Sequence, residues 1–200
     1  MGSVELILAS TSAYRAKLLR RLGIPFESQA SRVDETATQG EPPGRCAQRL
    51  ATAKAQAVLA PGRVVIGGDQ IADLDGQPLG KPLGHAQALA QLKACQGKSV
   101  TFHTAVTIAN SQRSEQHLDV TRVLFRRLPE RALEQYLQLE QPYDCAGSFK
   151  AEGLGIRLFE KIHCEDPTAL IGLPLIWVAD ALARFGFEAL ADGHPNDSTP

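Results

Sequence analysis

Apolar residues arrive along this chain in short bursts, and the bursts follow two different periods. Val4 to Leu8 is an aliphatic run that predicts a buried strand, and Leu18, Leu19 and Leu22 then recur at helical spacing until Gly23, just ahead of Pro25. The chain therefore opens as strand, polar loop, helix. A second helix is predicted over Arg45 to Leu59, followed by the turn Pro61-Gly62 and an aliphatic strand, RVVIGG, that brings Asp69 to its tip. In IADLDGQPL, Ile71 to Leu79, Asp75-Gly76 stands between two short β-like segments, which is hairpin chemistry because both residues tolerate positive φ.

The pattern then predicts a helix from His85 to Cys95 ended by Gly97. Two strands rich in β-branched residues follow, SVTFHTAVTIAN from Ser99 and QHLDVTRVLFRRL from Gln116, which pair as antiparallel neighbours. Pro129 opens a helix to about Leu139, IRLFEKI from Ile156 reads as a strand, and a last helix runs from about Pro174 to Arg184. Strands and helices alternate with no internal repeat and no low-complexity linker. The expectation is one mixed α/β unit over residues 1–190 with a polar, disordered tail at 191–200.

Composition narrows the function classes. Two hundred residues with 44% hydrophobic content can bury a core without disulfide or metal staples. A net charge of -1 and the absence of a basic run argue against a nucleic-acid stripe or an anionic-membrane surface. Any anionic ligand must then be met by a few placed cations. Cys46, Cys95, Cys145 and Cys164 lack the spacing of a zinc site and read as small apolar fillers in a reducing compartment. No secretory leader or membrane-length run is found, so a cytoplasmic location is expected.

Candidate chemistry starts at ASTSAYR, between the first strand and helix. A helix N-terminus with unpaired N–H groups can hold a phosphate oxygen. Ser10, Thr11 and Ser12 can cap the helix or donate to such a group, and Arg15 can bind two oxygens in fork geometry. An ordinary capped helix with a surface arginine explains the same residues. Asp69, after two glycines that let backbone approach a ligand, is either a site carboxylate or a turn residue. Lys54 among alanines, Lys81 in the rigid GKP loop, and the adjacent acids of VDE, including Glu35, add cations and an oxygen donor for a divalent metal. Each alone is equally well a solvated charge.

Taken together, LILASTS with Arg15, VDE with Glu35, Lys54 in LATAKA, IGGDQ, GKP and CAGSFKAEG resemble the Maf family of nucleotide pyrophosphatases in order and spacing, from Leu6 to about Arg184. The resemblance implies a two-lobed α/β fold, similar to the inosine triphosphate pyrophosphatase architecture. In its central cleft a nucleoside triphosphate would be cleaved to monophosphate and pyrophosphate with a divalent cation of the Mg2+ or Mn2+ class. Carried over, Ser10, Arg15, Lys54 and Lys81 bind phosphates, and Glu35 is a metal-side carboxylate. Asp69 activates water, ligates the metal, or does both.

Three further positions follow the family's division by base preference: Tyr14, Gln70 and Glu152. They resemble the branch acting on 7-methylguanosine triphosphate. Methylation at N7 makes the ring cationic, so an aromatic face and a nearby carboxylate both attract it, and a carboxylate can also accept from guanine N1–H and its amine. Gln70 would add an amide contact. Two rivals stay open: the same reaction on UTP, dTTP or other modified nucleotides, and a non-catalytic nucleotide-binding regulator of cell division. No nucleic-acid or membrane partner is expected, and a homodimer remains compatible with the sequence.

Overall fold

The computed structural model describes residues 4–188, so the tail expected at 191–200 lies outside the described residues. Within them are five α-helices, α1 (Ala13–Arg20), α2 (Pro43–Ala57), α3 (His85–Cys95), α4 (Glu130–Glu140) and α5 (Leu175–Arg184). Seven strands form one mixed sheet: β1 (Glu5–Leu8), β2 (Glu27–Ser28), β3 (Arg63–Leu74), β4 (Gln77–Leu79), β5 (Ser99–Ala109), β6 (Ser114–Phe125) and β7 (Phe159–His163). The order is β2-β1-β3-β5-β6-β7, with β4 also on β3. β1 is parallel to β2 and β3, and the remaining pairings are antiparallel, including the expected β5–β6 pair.

One edge of β3 is shared by two neighbours. β1 pairs with Arg63–Ile66 and β4 with Ala72–Leu74, while β5 lines the whole opposite edge from Val65 to Asp73. From Gly67 to Ile71 the first edge therefore has no strand beside it among the described residues. β1 leaves the sheet at this point, with Ala9 N still donating to Ile66 O at 2.8 Å before the chain turns away at Ser10. The sheet is split at its centre along one edge and continuous along the other.

The even-numbered face of β3 and β5 shows the same split in its side chains. Val64, Ile66, Val106 and Ile108 belong to a core completed by α1 and α5, with Leu18, Leu19, Val178 and Leu182. Ala72, Leu74, Val100 and Phe102 belong to a second core under α3 and α4, with Leu92, Leu133, Leu137 and Phe149. Gly68, Gln70 and Thr104 separate the two. Apolar runs of period two on one strand thus feed two lobes because a short polar interval interrupts them.

The odd-numbered face of β3 packs on α2. Ala47, Ala51 and Ala55 are fully buried, and a Cβ placed on Gly67 would lie 2.1 Å from Ala51 O. Helix and strand meet at backbone distance, which only glycine facing alanine permits. This corrects the expectation that the two glycines end a strand with Asp69 at its tip. Gly67 and Gly68 lie inside β3, which runs on to Leu74, and the first segment of the expected hairpin is its continuation. The turn itself is as read, with positive φ at Asp75 and Gly76 (53° and 82°). Another correction concerns IRLFEKI: Leu154–Leu158 is a short 3-10 helix, and only Phe159–His163 is strand. The chain folds back there so tightly that a Cβ on Gly155 would lie 2.4 Å from Lys150 O.

Gly67→Ala is expected to force α2 off β3 at a cost of about 1–3 kcal/mol, the range for overpacking, and to lower the thermal midpoint by about 2–12 °C for a chain of this size. Gly62→Ala, where a Cβ meets nothing but φ is 78°, serves as the backbone-strain control. An equal shift in the two variants, measured by calorimetry, would refute the close-approach account.

Candidate active site

The gap beside β3 opens into a cavity of about 470 Å³. Because the cavity lies at an open strand edge, residues from both faces of β3 reach it, Asp69 from the α2 face and Gln70 from the other. Its wall includes every residue singled out from the sequence: Ser10, Tyr14, Arg15, Glu35, Lys54, Asp69, Gln70, Lys81 and Glu152. These positions span 143 residues of sequence and are brought together by six separate segments.

Asp69 and Lys54 form the buried centre, at 6% and 5% exposure. Lys54 Nζ lies 2.7 Å from Asp69 Oδ1 and 2.8 Å from Glu35 Oε1, so one ammonium bridges a buried carboxylate and a solvent-facing one. Burial pushes the Asp69 carboxyl above its ordinary value; Lys54 and Arg15 oppose that rise and Glu35 adds to it. Lys54 reaches this position from the last turn of α2, which the contact at Gly67 has drawn onto the strand.

Arg15 occupies a slot made by two glycines. A Cβ on Gly68 would lie 3.4 Å from Arg15 Nε, and one on Gly172, at φ 135°, would lie 3.4 Å from Arg15 Cγ. Its Nε donates to Gly172 O at 3.2 Å and its NH1 to Ser10 Oγ at 3.5 Å. Burial lowers the guanidinium's proton affinity, against the pull of Asp69 and Glu35. Ser12 caps α1 by accepting from Arg15 N at 3.3 Å, and Ser10 accepts from Ser12 N at 3.1 Å. The hydroxyls thus serve the helix end while Ser10 still lines the cavity. Neither Arg15 nor Lys81 has a carboxylate partner within ion-pair distance among the described residues.

A second group surrounds Tyr14. Its hydroxyl donates to Asp144 Oδ2 at 3.4 Å and accepts from Cys145 Sγ at 3.7 Å. Tyr14 is held well above the usual phenol range by burial first, then by Cys145, Asp144 and Glu152. Burial likewise pushes the Cys145 thiol up to about 11, so near neutral pH this residue is a thiol. Phe102 and Phe149 line the cavity as part of the second core.

Gln70 lines the cavity and is also tied to a distant segment. Its Nε2 donates to Thr104 Oγ1 (2.9 Å), Ala169 O (3.0 Å) and Leu170 O (3.2 Å), tying β3 to the segment that carries Gly172. Its amide nitrogen thus meets one hydroxyl and two backbone carbonyls. The filler reading of the cysteines holds only in part. Cys46 and Cys95 are buried, whereas Cys145 borders the cavity and Cys164 is exposed. Sequence reasoning did not single out Asp144, Phe102 or Lys150. Lys150 stands within the quoted CAGSFKAEG stretch, but nothing in its spacing marked it, and its Nζ here donates to Glu140 O at 3.1 Å.

The donors fit a hard divalent cation. Asp69 and Glu35 direct oxygens at one point, now shared by Lys54, and Mg2+-class ions are commonly held by one or two carboxylates completed by substrate phosphates. No cluster of three or more His, Cys, Asp or Glu suited to a metal occurs among the described residues. Glu35 and Asp69 are the residues that would hold such an ion.

This α/β fold with its charged cleft has relatives. The family described as Maf-like protein matches residues 5–185, and the chain belongs to the Maf family. It is 52% identical over 188 residues to a 7-methyl-GTP pyrophosphatase of Bordetella avium, covering 93% of this chain and 95% of that protein. It is 54% identical over 185 residues to one of Xanthomonas oryzae pv. oryzae, covering 92% and 97%. Among solved structures, a HAM1 protein from Coxiella burnetii overlaps 63% of this chain and 75% of its own, at 16% identity and a TM-score of 0.44. No helix among the described residues is long and apolar enough to cross a membrane.

Removing Lys54 leaves Asp69 buried beside Arg15 alone. Lys54→Met is expected to destabilise the fold by about 3–5 kcal/mol near neutral pH, as for a broken buried ion pair. The Asp69 carboxyl is raised, so its contribution is full below the ordinary aspartate pKa and is lost as pH rises through the folded value. Urea unfolding across a pH series should therefore show the variant's deficit shrinking toward acid. A deficit independent of pH would contradict the assignment of Asp69 as its source.

Proposed function

We propose that the chain is a nucleoside triphosphate pyrophosphatase that hydrolyses 7-methyl-GTP to 7-methyl-GMP and pyrophosphate. The observation that carries this reading is one cavity that holds Arg15 and Lys54 around Asp69 and Glu35, has Lys81 in its wall, and gathers Asp144, Cys145 and Glu152 about Tyr14. A nucleotide with an anionic triphosphate and a cationic base has the complementary distribution of charge. The names of the Bordetella and Xanthomonas relatives support the same substrate.

In this mechanism Asp69, with Oδ1 held by Lys54, accepts through its other oxygen a proton from the water attacking the α-phosphorus. The α–β anhydride bond breaks, the hydroxyl stays on the monophosphate, and pyrophosphate departs. Arg15 and Lys81, without a carboxylate partner among the described residues, take up the charge developing on the leaving group; Ser10 orients a phosphate oxygen. A Mg2+ or Mn2+ ion held by Glu35 and Asp69 would add charge neutralisation at those phosphates. Tyr14 stacks on the methylated ring and Glu152 accepts from its Watson–Crick edge, while Gln70 holds the 169–172 segment that seats Arg15. The raised Asp69 carboxyl suits a base, since its proton affinity is nearer that of the working pH.

Pyrophosphate release in Mg2+ should favour 7-methyl-GTP over GTP, UTP, dTTP and CTP by about tenfold to several hundredfold, the yield of one stacked charged ring and one bidentate contact. Equal rates on all five would remove the specificity reading. Asp69→Asn should reduce kcat by about 10²–10⁴ with binding retained, and chelation of the metal should abolish turnover; an active Asp69→Asn enzyme would remove the mechanism. The acid limb of the kcat/KM profile should fall above the ordinary aspartate pKa of about 3.9. It should move further toward neutral pH in Lys54→Met, because Lys54 holds the Asp69 carboxyl down.

A further inference from the structure

Behind the cavity wall, Lys81 stands on a loop that is tied to one neighbour at both of its ends. The loop joins β4 to α3 and is exposed except at Pro82, with Leu83 in a left-handed conformation (φ 58°) and its side chain in solvent. At its start, Gly80 O accepts from Gln91 Nε2 at 3.0 Å, and Gln91 Oε1 in turn accepts from Ser148 Oγ at 2.5 Å. At its end, Leu83 N donates to Tyr143 O at 3.0 Å, and His85 Nδ1 meets the Tyr143 hydroxyl at 3.0 Å. Every tie leads to the segment 143–149, which supplies Asp144, Cys145, Ala146 and Phe149 to the cavity.

The two partners differ in how firmly they are held. Segment 143–149 ends in the second core, where Ser148 is fully buried and Phe149 packs edge-to-face on Phe102, Phe125 and Phe159. In the loop only Pro82 is buried, and Lys81 and Leu83 on either side of it are exposed. The Tyr143 hydroxyl lies between His85 Nδ1 at 3.0 Å and Leu137 O at 3.3 Å, and the other ring nitrogen of His85 donates to Glu134 Oε2 on α4 at 2.6 Å. The imidazole is thereby fixed between two elements of the second lobe at the first residue of α3, four positions after Lys81. Neither His85 nor Tyr143 lines the cavity.

We infer that His85 and Tyr143 are positioning residues: together they latch the Lys81 loop to the wall at 143–149 and so set where Lys81 meets substrate. The inference rests on the reading of the cleft as a triphosphate site. Loss of the latch leaves the reacting groups on β3 and α2 untouched and lets Lys81 spread over positions of which few meet a phosphate. The defect is one of binding rather than of turnover.

A double-mutant cycle tests this with 7-methyl-GTP and Mg2+. Tyr143→Phe keeps the ring and removes only the hydroxyl. It is expected to raise KM about threefold to tenfold, the range of one net hydrogen bond, with kcat unchanged. That penalty should shrink toward onefold in a Lys81→Ala background, where no lysine remains to position, and should persist in full in a Ser10→Ala background. Glu134→Gln, at a solvent-facing member of the network, should raise KM in the same direction and guards against a Tyr143 variant that folds poorly. An unchanged KM in both variants, or penalties that multiply in the Lys81→Ala background, would overturn the latch while leaving the pyrophosphatase reading intact. A wild-type chain that releases pyrophosphate from no triphosphate would overturn that reading, and the latch with it.

Discussion

The approach of α2 to β3 at backbone distance is the constraint on which the cleft depends. Gly67 facing Ala51 lets the helix sit directly on the strand, and Lys54, one turn further along α2, is thereby brought to Asp69 two residues along β3. A long lysine held against an alanine-lined face loses its water and must find charge partners inside the protein, which is why two carboxylates converge on it. The same pairing opposes the rise that burial imposes on the Asp69 carboxyl. Packing, ion pair and acid strength are consequences of one missing side chain.

A second constraint is the unpaired edge of β3. A strand interior normally gives its two faces to two different layers, and residues next to each other in sequence do not share a site. Here β1 leaves and β4 begins with five residues between them. The open edge lets Asp69 and Gln70 reach one cavity while Gln70 also secures the segment that holds Arg15. The glycines at 68 and 172 complete this arrangement by admitting the arginine stem between them. The two lobes stay joined by β3, β5 and β6, so the cavity is bounded by continuous strands on one side and by loops on the other. Asp69 and Lys54 come from a strand and a helix, whereas Lys81 and the Tyr14 surroundings come from the loop side.

Much of this was legible beforehand. Period-two and helical spacing located most of the strands and helices, because those patterns record which face of an element must be dry. The hairpin turn at Asp75-Gly76 was legible for a local reason, the tolerance of those residues for positive φ. Ser10, Arg15, Glu35, Lys54, Asp69 and Lys81 stand out by residue type and place along the chain, each alone with an ordinary explanation, whereas Tyr14, Gln70 and Glu152 come from family resemblance. Their convergence on one cavity is a fact of the tertiary structure.

Near neighbours in the chain fix the set of elements, their apolar faces and the identity of the charged groups, and these could be read in advance. The course of β3 through Gly67 and Gly68 was misjudged because glycine marks both a strand end and a close approach, and only the position of α2 tells them apart. The commitment of Gln70 to Ala169 and Leu170, nearly a hundred residues away, left no local trace. Nor did the meeting of Tyr14 with Asp144 and Cys145, or the ties between the Lys81 loop and Tyr143. Hydrogen bonds and ion pairs between distant segments are decided by how two lobes pack across an open strand edge, and that geometry exists only once the whole sheet has formed.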